Sequence, residues 1–171
     1  DNNRYDGRLQ TAWGFSCLVE TGEPAASLPF STGAGTVLFD TGGDSPTLLG
    51  NMSKLDIDPQ AIDAVVLSHA HRDHTGGLGG LLGTGARPTV YAPAAFSTSF
   101  KKEVRARTEL VEVTGPTEII PGFHTTGELG SSIVEQALAV ETAKGLVVVT
   151  GCAHPGVVKM VRRAKERGDV S

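Results

Sequence analysis

A mixed α/β fold is predicted by three features of the sequence. Short apolar runs such as "GTVLFD" (35–40), "AVVLS" (64–68) and "TVYA" (89–92) recur along the chain and read as strands. Stretches with helical spacing of apolar residues fall between groups of these strands. Glycines gather where the apolar runs end, as in "LFDTGGD", "HTGGLGG" and "VVVTGCAHPG", and the total of 22 exceeds the roughly 12 expected at an average of ~7%. Glycine in such places lets the backbone turn with positive φ or come close to a ligand. A fold that builds its site from strand-end loops uses glycine in this way.

Each element follows in order. "WGFSCLVE" (13–20) and "GTVLFD" read as strands joined by a Gly/Pro/Ser-rich connection. "DSPTLLGNMSKLDI" (44–57) reads as a helix: Asp44 or Ser45 can cap it, Pro46 suits its first turn, and Leu48, Leu49, Met52 and Leu55 share a face. "AVVLS" is a continuous apolar run, as expected of a strand covered on both faces. "TGGLGGLL" (75–82) is a glycine-loosened helix, and "TVYA" is a further strand. The basic stretches "KKEVRAR" (101–107) and "KMVRRAKER" (159–167) are interrupted by acids or apolar residues and read as solvated helix faces. "ELVEVT" (109–114) and "TEII" (117–120) read as strands, and "QALAVET" (136–142) with "LVVVT" (146–150) as a hairpin through "AKG". A last helix over 156–167 aligns Val157, Val161 and Ala164, with Gly168 as its stop. No repeat or internal linker interrupts the series, so residues 1–171 are expected to form a single domain.

Composition narrows the function. The net charge of −4 provides no excess positive field for nucleic acid or anionic membrane. No apolar run approaches the ~18 residues that span a bilayer, and no signal peptide is visible. Two cysteines 135 positions apart make no disulfide framework, so a reduced, cytoplasmic setting is the default. The partner expected is a small-molecule substrate; a homo-oligomer is compatible with such a chain.

Chemistry concentrates in "VVLSHAHRDHTGG" (65–77), which holds three of the five histidines and an acid at the end of a buried strand. Side chains at 69 and 71 point to one side of an extended chain, because side chains alternate with period two. Asp73 and His74 lie where the chain turns into the glycine-rich helix and approach the same point from another direction. Imidazole nitrogens and a carboxylate are ligands that zinc, iron(II) and manganese(II) accept at about 2.0–2.2 Å. Histidines bonded to the backbone of a polar loop are the alternative; it suits a lone histidine better than three in six positions. "TGCAHPG" (150–156) follows another strand, and Pro155 biases His154 towards an extended conformation. Cys152 points the same way as His154; it is either a soft thiolate ligand or a small residue buried in a tight turn. His124, in "PGFHTTG", lacks metal spacing and reads as an exposed loop histidine.

The motif H-x-H-x-D-H at a strand end, ~30 residues after a strand ending "FDTG", resembles the metallo-β-lactamase superfamily, with "LFDTGG" (38–43), "LSHAHRDHTGG" (67–77) and "TVYAP" (89–93) in that family's order. The resemblance implies an αββα sandwich and a centre for one or two divalent metals, zinc first, with manganese or iron as alternatives. It implies that His69 and His71 hold one metal and Asp73 and His74 the second, with His154 as the next histidine. Asp40 would orient the ligands; a turn aspartate bonding the "TGGD" backbone is its alternative role. "WGFSCLVET", "TGE" (126–128), "EQALAVET" (135–142) and "GLVVVTGCAHPGVV" (145–158) resemble one branch of the family more narrowly. Its members are dihydropterin-ribofuranosyl-aminobenzene-phosphate synthases or metal-dependent hydrolases. That branch has a strand before "DNN", more residues between "TGE" and "EQAL", and later segments bearing "GGFH" and "HCTG". The sandwich is therefore expected to be incomplete at both termini, with further ligands truncated or supplied by another chain.

The reading that follows is a metal-dependent hydrolase that uses an activated water on an ester or phosphate-ester bond of a small anionic metabolite, with Asp73 orienting that water or taking its proton. The rivals are a pterin-type cofactor synthase and a non-catalytic metal-binding remnant. A nuclease is disfavoured by the acidic balance and the missing basic stripe.

Overall fold

A computed structural model describes residues 6–22 and 35–166. Two sheets face each other. In the first, the order is β1 (Cys17–Thr21), β2 (Gly35–Phe39), β3 (Ala64–Val66), β4 (Thr89–Pro93) and β5 (Leu110–Val113). Strands β2 to β5 run parallel and β1 pairs antiparallel with β2. The second sheet is antiparallel, with β6 (Thr117–Ile120), β7 (Phe123–Thr125), β8 (Leu138–Thr142) and β9 (Gly145–Val149) in sequence order.

The parallel strands need crossovers. These are α1 (Ser45–Lys54), the short α2 (Arg72–Thr75) with α3 (Leu78–Gly83), and α4 (Thr98–Arg105). Period-two alternation assigns the two faces of the first sheet. Val37, Phe39, Ala64 and Val66 point inward to meet Ile119, Phe123, Leu138 and Val140 of the second sheet. Leu38, Val65, Leu67, Val90 and Ala92 point outward to Leu48 and Met52 of α1, Leu78, Leu81 and Leu82 of α3 and Val104 of α4. On the outer face of the second sheet, α5 (Val157–Lys165) lays Met160 against Ala137 and Leu129. The layers are thus helix, sheet, sheet, helix. Each fully buried leucine, such as Leu81, contributes about 1.5–3 kcal/mol of transfer free energy.

Local chemistry explains the element boundaries. Asp44 caps α1, its carboxylate accepting from Thr47 N–H at 2.8 Å and the Thr47 hydroxyl at 3.0 Å. Ser45 instead accepts from Gly80 N–H at 3.1 Å and ties α1 to α3. The segment expected as one glycine-loosened helix divides at Gly76 and Gly77. A β-carbon at Gly76 would stand 2.0 Å from the Gly43 carbonyl oxygen, so glycine permits the close crossing of these loops.

Three expectations are corrected. Strand β1 starts only at Cys17, because the chain bends through Gly14 (φ +132) to place Phe15 N–H on the Asp73 carbonyl at 3.2 Å. His124 is not an exposed loop residue: it is 7% exposed, on β7, with Nε2 3.0 Å from Glu141 Oε1. In α5 the buried residues are Met160 and Ala164, whereas Val157 is 55% exposed. The 23–34 connection and Gly168 lie outside the described residues. Among the described residues, no helix is long and apolar enough to cross a membrane.

Candidate metal centre

Parallel strands end at the same edge of a sheet, so the residues following β2 and β3 meet there. Asp40 follows β2 directly, and Ser68, His69, His71, Asp73 and His74 follow β3. In the antiparallel second sheet the start of β8 and the end of β9 share an edge. That edge faces the first group, since Gln136 N–H donates to the Ser68 carbonyl at 2.9 Å. Ligand candidates from both sheets therefore converge on one seam.

The histidine rings cluster tightly. His69 lies 4.5 Å from His71, 4.3 Å from His74 and 4.9 Å from His154, between ring centroids, and His71 is 5.2 Å from His154. Two triads of donor atoms each fall within 4.8 Å: His69, His71 and His154, and His69, His74 and Cys152. Asp73 belongs to neither triad; its Oδ2 stands 3.6 Å from His74 Nε2, with the side chain 27% exposed. Cys152 is exposed, which removes the alternative of a small buried residue, and its Sγ lies 3.2 Å from His74 Nε2.

Asp40 is wholly buried, with a left-handed φ of 59° that aspartate tolerates better than most residues. Its Oδ1 accepts Ser68 N–H at 2.7 Å, and its Oδ2 accepts the Ser68 hydroxyl at 2.7 Å and His74 Nδ1–H at 2.6 Å. These bonds link the two strand ends and leave the "TGGD" backbone without an Asp40 side-chain bond among the described residues. Ser68 Oγ also lies 2.9 Å from His69 Nδ1. The single hydroxyl proton goes to Asp40, so the network assigns the proton of that contact to His69 Nδ1. Nε2 of His69 and Nε2 of His74 are thereby turned towards the cluster, which is the tautomer that binds metal.

The electrostatics are those of a cation site. Burial, and then the neighbouring His74, His71 and His154, push His69 down to about 3, so it is a neutral donor. Burial opposes charge on His74 too, but the Asp40 bond with Asp40, Asp73 and Glu135 nearby outweighs it and raises its pKa. Burial raises Asp40, and burial with Glu135, Asp73 and Asp40 raises the Cys152 thiol. Among the described residues, no lysine or arginine pairs with Asp40, Asp73 or Glu135. Imidazoles, a thiol and carboxylates whose nearest cationic partner is His74 itself, all around one point, fit a divalent cation.

Sequence reasoning missed two residues here. Ser68, directly before the motif, bridges Asp40 to His69; its position after an apolar strand was its only signal. Glu135 is 0% exposed, and its carboxylate bonds the backbone amides of Ala153 and His154. An acid two positions ahead of the apolar "ALAV" run marks it, but its partners lie 18 and 19 positions away.

Comparison with known proteins identifies the family and the fold. The family model of the metallo-beta-lactamase superfamily matches residues 28–156. The 7,8-dihydropterin-6-methyl-4-(beta-D-ribofuranosyl)-aminobenzene-5'-phosphate synthase of Methanocaldococcus jannaschii is 31% identical, over 75% of this chain and 59% of that protein. A metallo-beta-lactamase fold protein from Bacillus subtilis superposes with a TM-score of 0.55 at 23% identity, covering 79% of this chain and 61% of its own. An N-acyl homoserine lactone hydrolase, solved with the product N-hexanoyl-L-homoserine at its catalytic metal centre, gives 0.51 at 20%, covering 68% and 58%. These two structures bear on the fold alone. The chain spans less than two thirds of the length of each of these three proteins. With the family match running from residue 28, ahead of the second strand, through the His154 loop, the chain belongs to the metallo-beta-lactamase superfamily.

Proposed function

We propose that the chain carries the metal-holding part of a metal-dependent hydrolase that acts on an ester or phosphate-ester bond of a small anionic metabolite. The observation that carries this reading is the convergence of four histidines and a thiol, from two sheets, beside carboxylates that no lysine or arginine among the described residues neutralises. His69, His71 and His154 would hold one divalent ion, zinc first and manganese or iron(II) after it. His74 and Cys152, with Asp73 beside them, would hold a second.

A divalent ion held by these residues would supply Lewis acidity, enough to polarise a substrate oxygen and to make water available as a nucleophile near neutral pH. The protein's own part is to hold and to orient. Asp40 and Ser68 keep the His74 and His69 rings in their donor tautomers. Asp73, partly exposed beside His74, would be placed to orient a water and to take its proton. Cationic charge for an anionic substrate would come from the ions, since the chain itself carries −4.

A second reading, a synthase step in making a pterin-type cofactor precursor, is favoured by the 31% identity to the archaeal synthase. Metal content by mass spectrometry, combined with turnover of bis(4-nitrophenyl) phosphate and 4-nitrophenyl acetate, separates the readings. Metal-dependent hydrolysis that His71→Ala abolishes supports the hydrolase. Bound metal without ester turnover, but with formation of the dihydropterin-ribofuranosyl-aminobenzene phosphate, establishes the synthase. Protein that binds no metal overturns both.

A further inference from the structure

We propose that Glu135 is a positioning residue of the metal centre: its buried carboxylate holds the loop bearing Cys152 and His154 in place against the His69–His74 segment. The inference rests on the metal-centre reading above and deepens it.

Glu135 is fully excluded from solvent. Its Oε1 accepts Ala153 N–H at 2.9 Å and its Oε2 accepts His154 N–H at 2.8 Å, so both oxygens serve the two amides directly after Cys152. The adjacent Gln136, also fully buried, grips the other half of the centre. Its N–H donates to the Ser68 carbonyl at 2.9 Å, and its side-chain amide donates to the Leu67 carbonyl at 2.9 Å and the Tyr91 carbonyl at 3.3 Å. Its Oε1 accepts the Thr125 hydroxyl. One dipeptide at the entry to β8 thus touches the strand end that leads into His69 and the loop that carries His154.

The loop shows the effect of this grip. Ala153 has φ +56, a region a non-glycine residue seldom occupies, and its amide is one of the two that Glu135 holds. Gly156 N–H closes the turn on the Ala153 carbonyl at 2.8 Å. At Gly151 an added β-carbon would stand 2.4 Å from Ser68 Oγ and 2.9 Å from Glu135 Oε1, so the loop is drawn against both. A buried carboxylate without a cationic side chain is costly, and two charge-assisted amide bonds offset only part of that cost. A cation held by the adjacent donor triads would offset more of it. Glutamine could not do the same work: one oxygen would serve one amide, and its NH2 would face the other.

The test is a cobalt(II) titration of the metal-free wild type, Glu135→Gln, Glu135→Asp and a control, Leu82→Ala, buried on the far face of the first sheet. Visible d–d absorption reports the number and geometry of donors, and thermal denaturation reports the stability of each metal-free form. Expected is at least ~10-fold weaker cobalt binding by Glu135→Gln with an altered spectrum, as for loss of ligand support. Glu135→Asp, which keeps the charge on a shorter arm, recovers part of the affinity. Leu82→Ala lowers Tm and leaves affinity and spectrum unchanged. A Glu135→Gln protein with wild-type affinity and spectrum, whatever its Tm, overturns the inference and leaves the metal reading intact. If neither Glu135 variant folds, hydrogen exchange in the metal-free wild type decides: protected Ala153 and His154 amides support the inference, and open-loop exchange rates overturn it. Wild-type protein that takes up no cobalt removes the metal reading and this inference with it.

Discussion

Asp40→Asn perturbs the centre without changing its shape. The carboxylate accepts three bonds, from Ser68 N–H and hydroxyl and from His74 Nδ1–H. An amide has one acceptor oxygen and one donor nitrogen, so one contact must fail in either orientation. With the oxygen towards His74 and the Ser68 hydroxyl, the NH2 faces Ser68 N–H, two donors at 2.7 Å. With the NH2 towards His74, Nδ1 must become the acceptor, and the ring proton moves to Nε2, the nitrogen that faces Cys152 at 3.2 Å. Metal affinity should fall ~10–100-fold, about 1.4–2.8 kcal/mol. Because Asp40 is fully buried, the unsatisfied contact should also lower the stability of the metal-free protein by about 1–3 kcal/mol. Chelator competition with zinc measures the first quantity and calorimetry of the metal-free protein the second. Unchanged metal affinity beside reduced stability would refute the orienting role and leave Asp40 a residue of the fold.

Three further outcomes are expected. His154→Ala, at an exposed position, should weaken metal binding at least ~10-fold while moving the stability of the metal-free protein by less than about 0.5 kcal/mol; unchanged metal content after dialysis excludes His154 as a ligand. Gly151→Ala places a methyl group 2.4 Å from Ser68 Oγ and should cost about 1–3 kcal/mol in thermal denaturation, so an unchanged Tm contradicts the packing described. Glu112 bonds Lys101 at 2.8 Å and Arg105 at 2.5 Å, and those bonds hold its carboxyl below its ordinary range. The unfolded chain therefore protonates this group first. Its stabilisation is present above about pH 4.3 and is lost as pH falls through the lower folded value. The Tm gap between wild type and Glu112→Gln should be open at pH 7 and closed in strong acid, and a gap independent of pH contradicts this.

Legibility in the sequence followed locality. The β3 run, the α1 cap at Asp44 and the spacing of His69, His71 and His74 are statements about neighbouring residues, and the structure keeps them together. His124 was misread because "PGFHTTG" looks like a turn, whereas pairing with β6 and β8 makes it a central strand. In α5 the apolar stripe pointed to Val157, but the register that buries Met160 against Ala137 turns Val157 out. Glu135 and Gln136 form a buried polar clamp whose partners lie as far as 69 positions away, a distance no periodicity reports. The grouping of Cys152 with His74 and His69 likewise depends on the meeting of two sheets.

The seam between the sheets has a topological consequence. His74 and Cys152 are 78 residues apart, so an ion held by both closes a loop over nearly half the chain. Were that link to persist in the unfolded chain, loop-closure entropy alone would amount to about 4.5 kcal/mol. Coordination does not outlast the fold, so the constraint would act on the folded state: with an ion bound, the sheets could not part at this seam without breaking metal–ligand bonds. Opening of the sandwich would then carry the cost of those bonds, and hydrogen exchange along the seam should be slower in the metal-loaded protein than in the metal-free one.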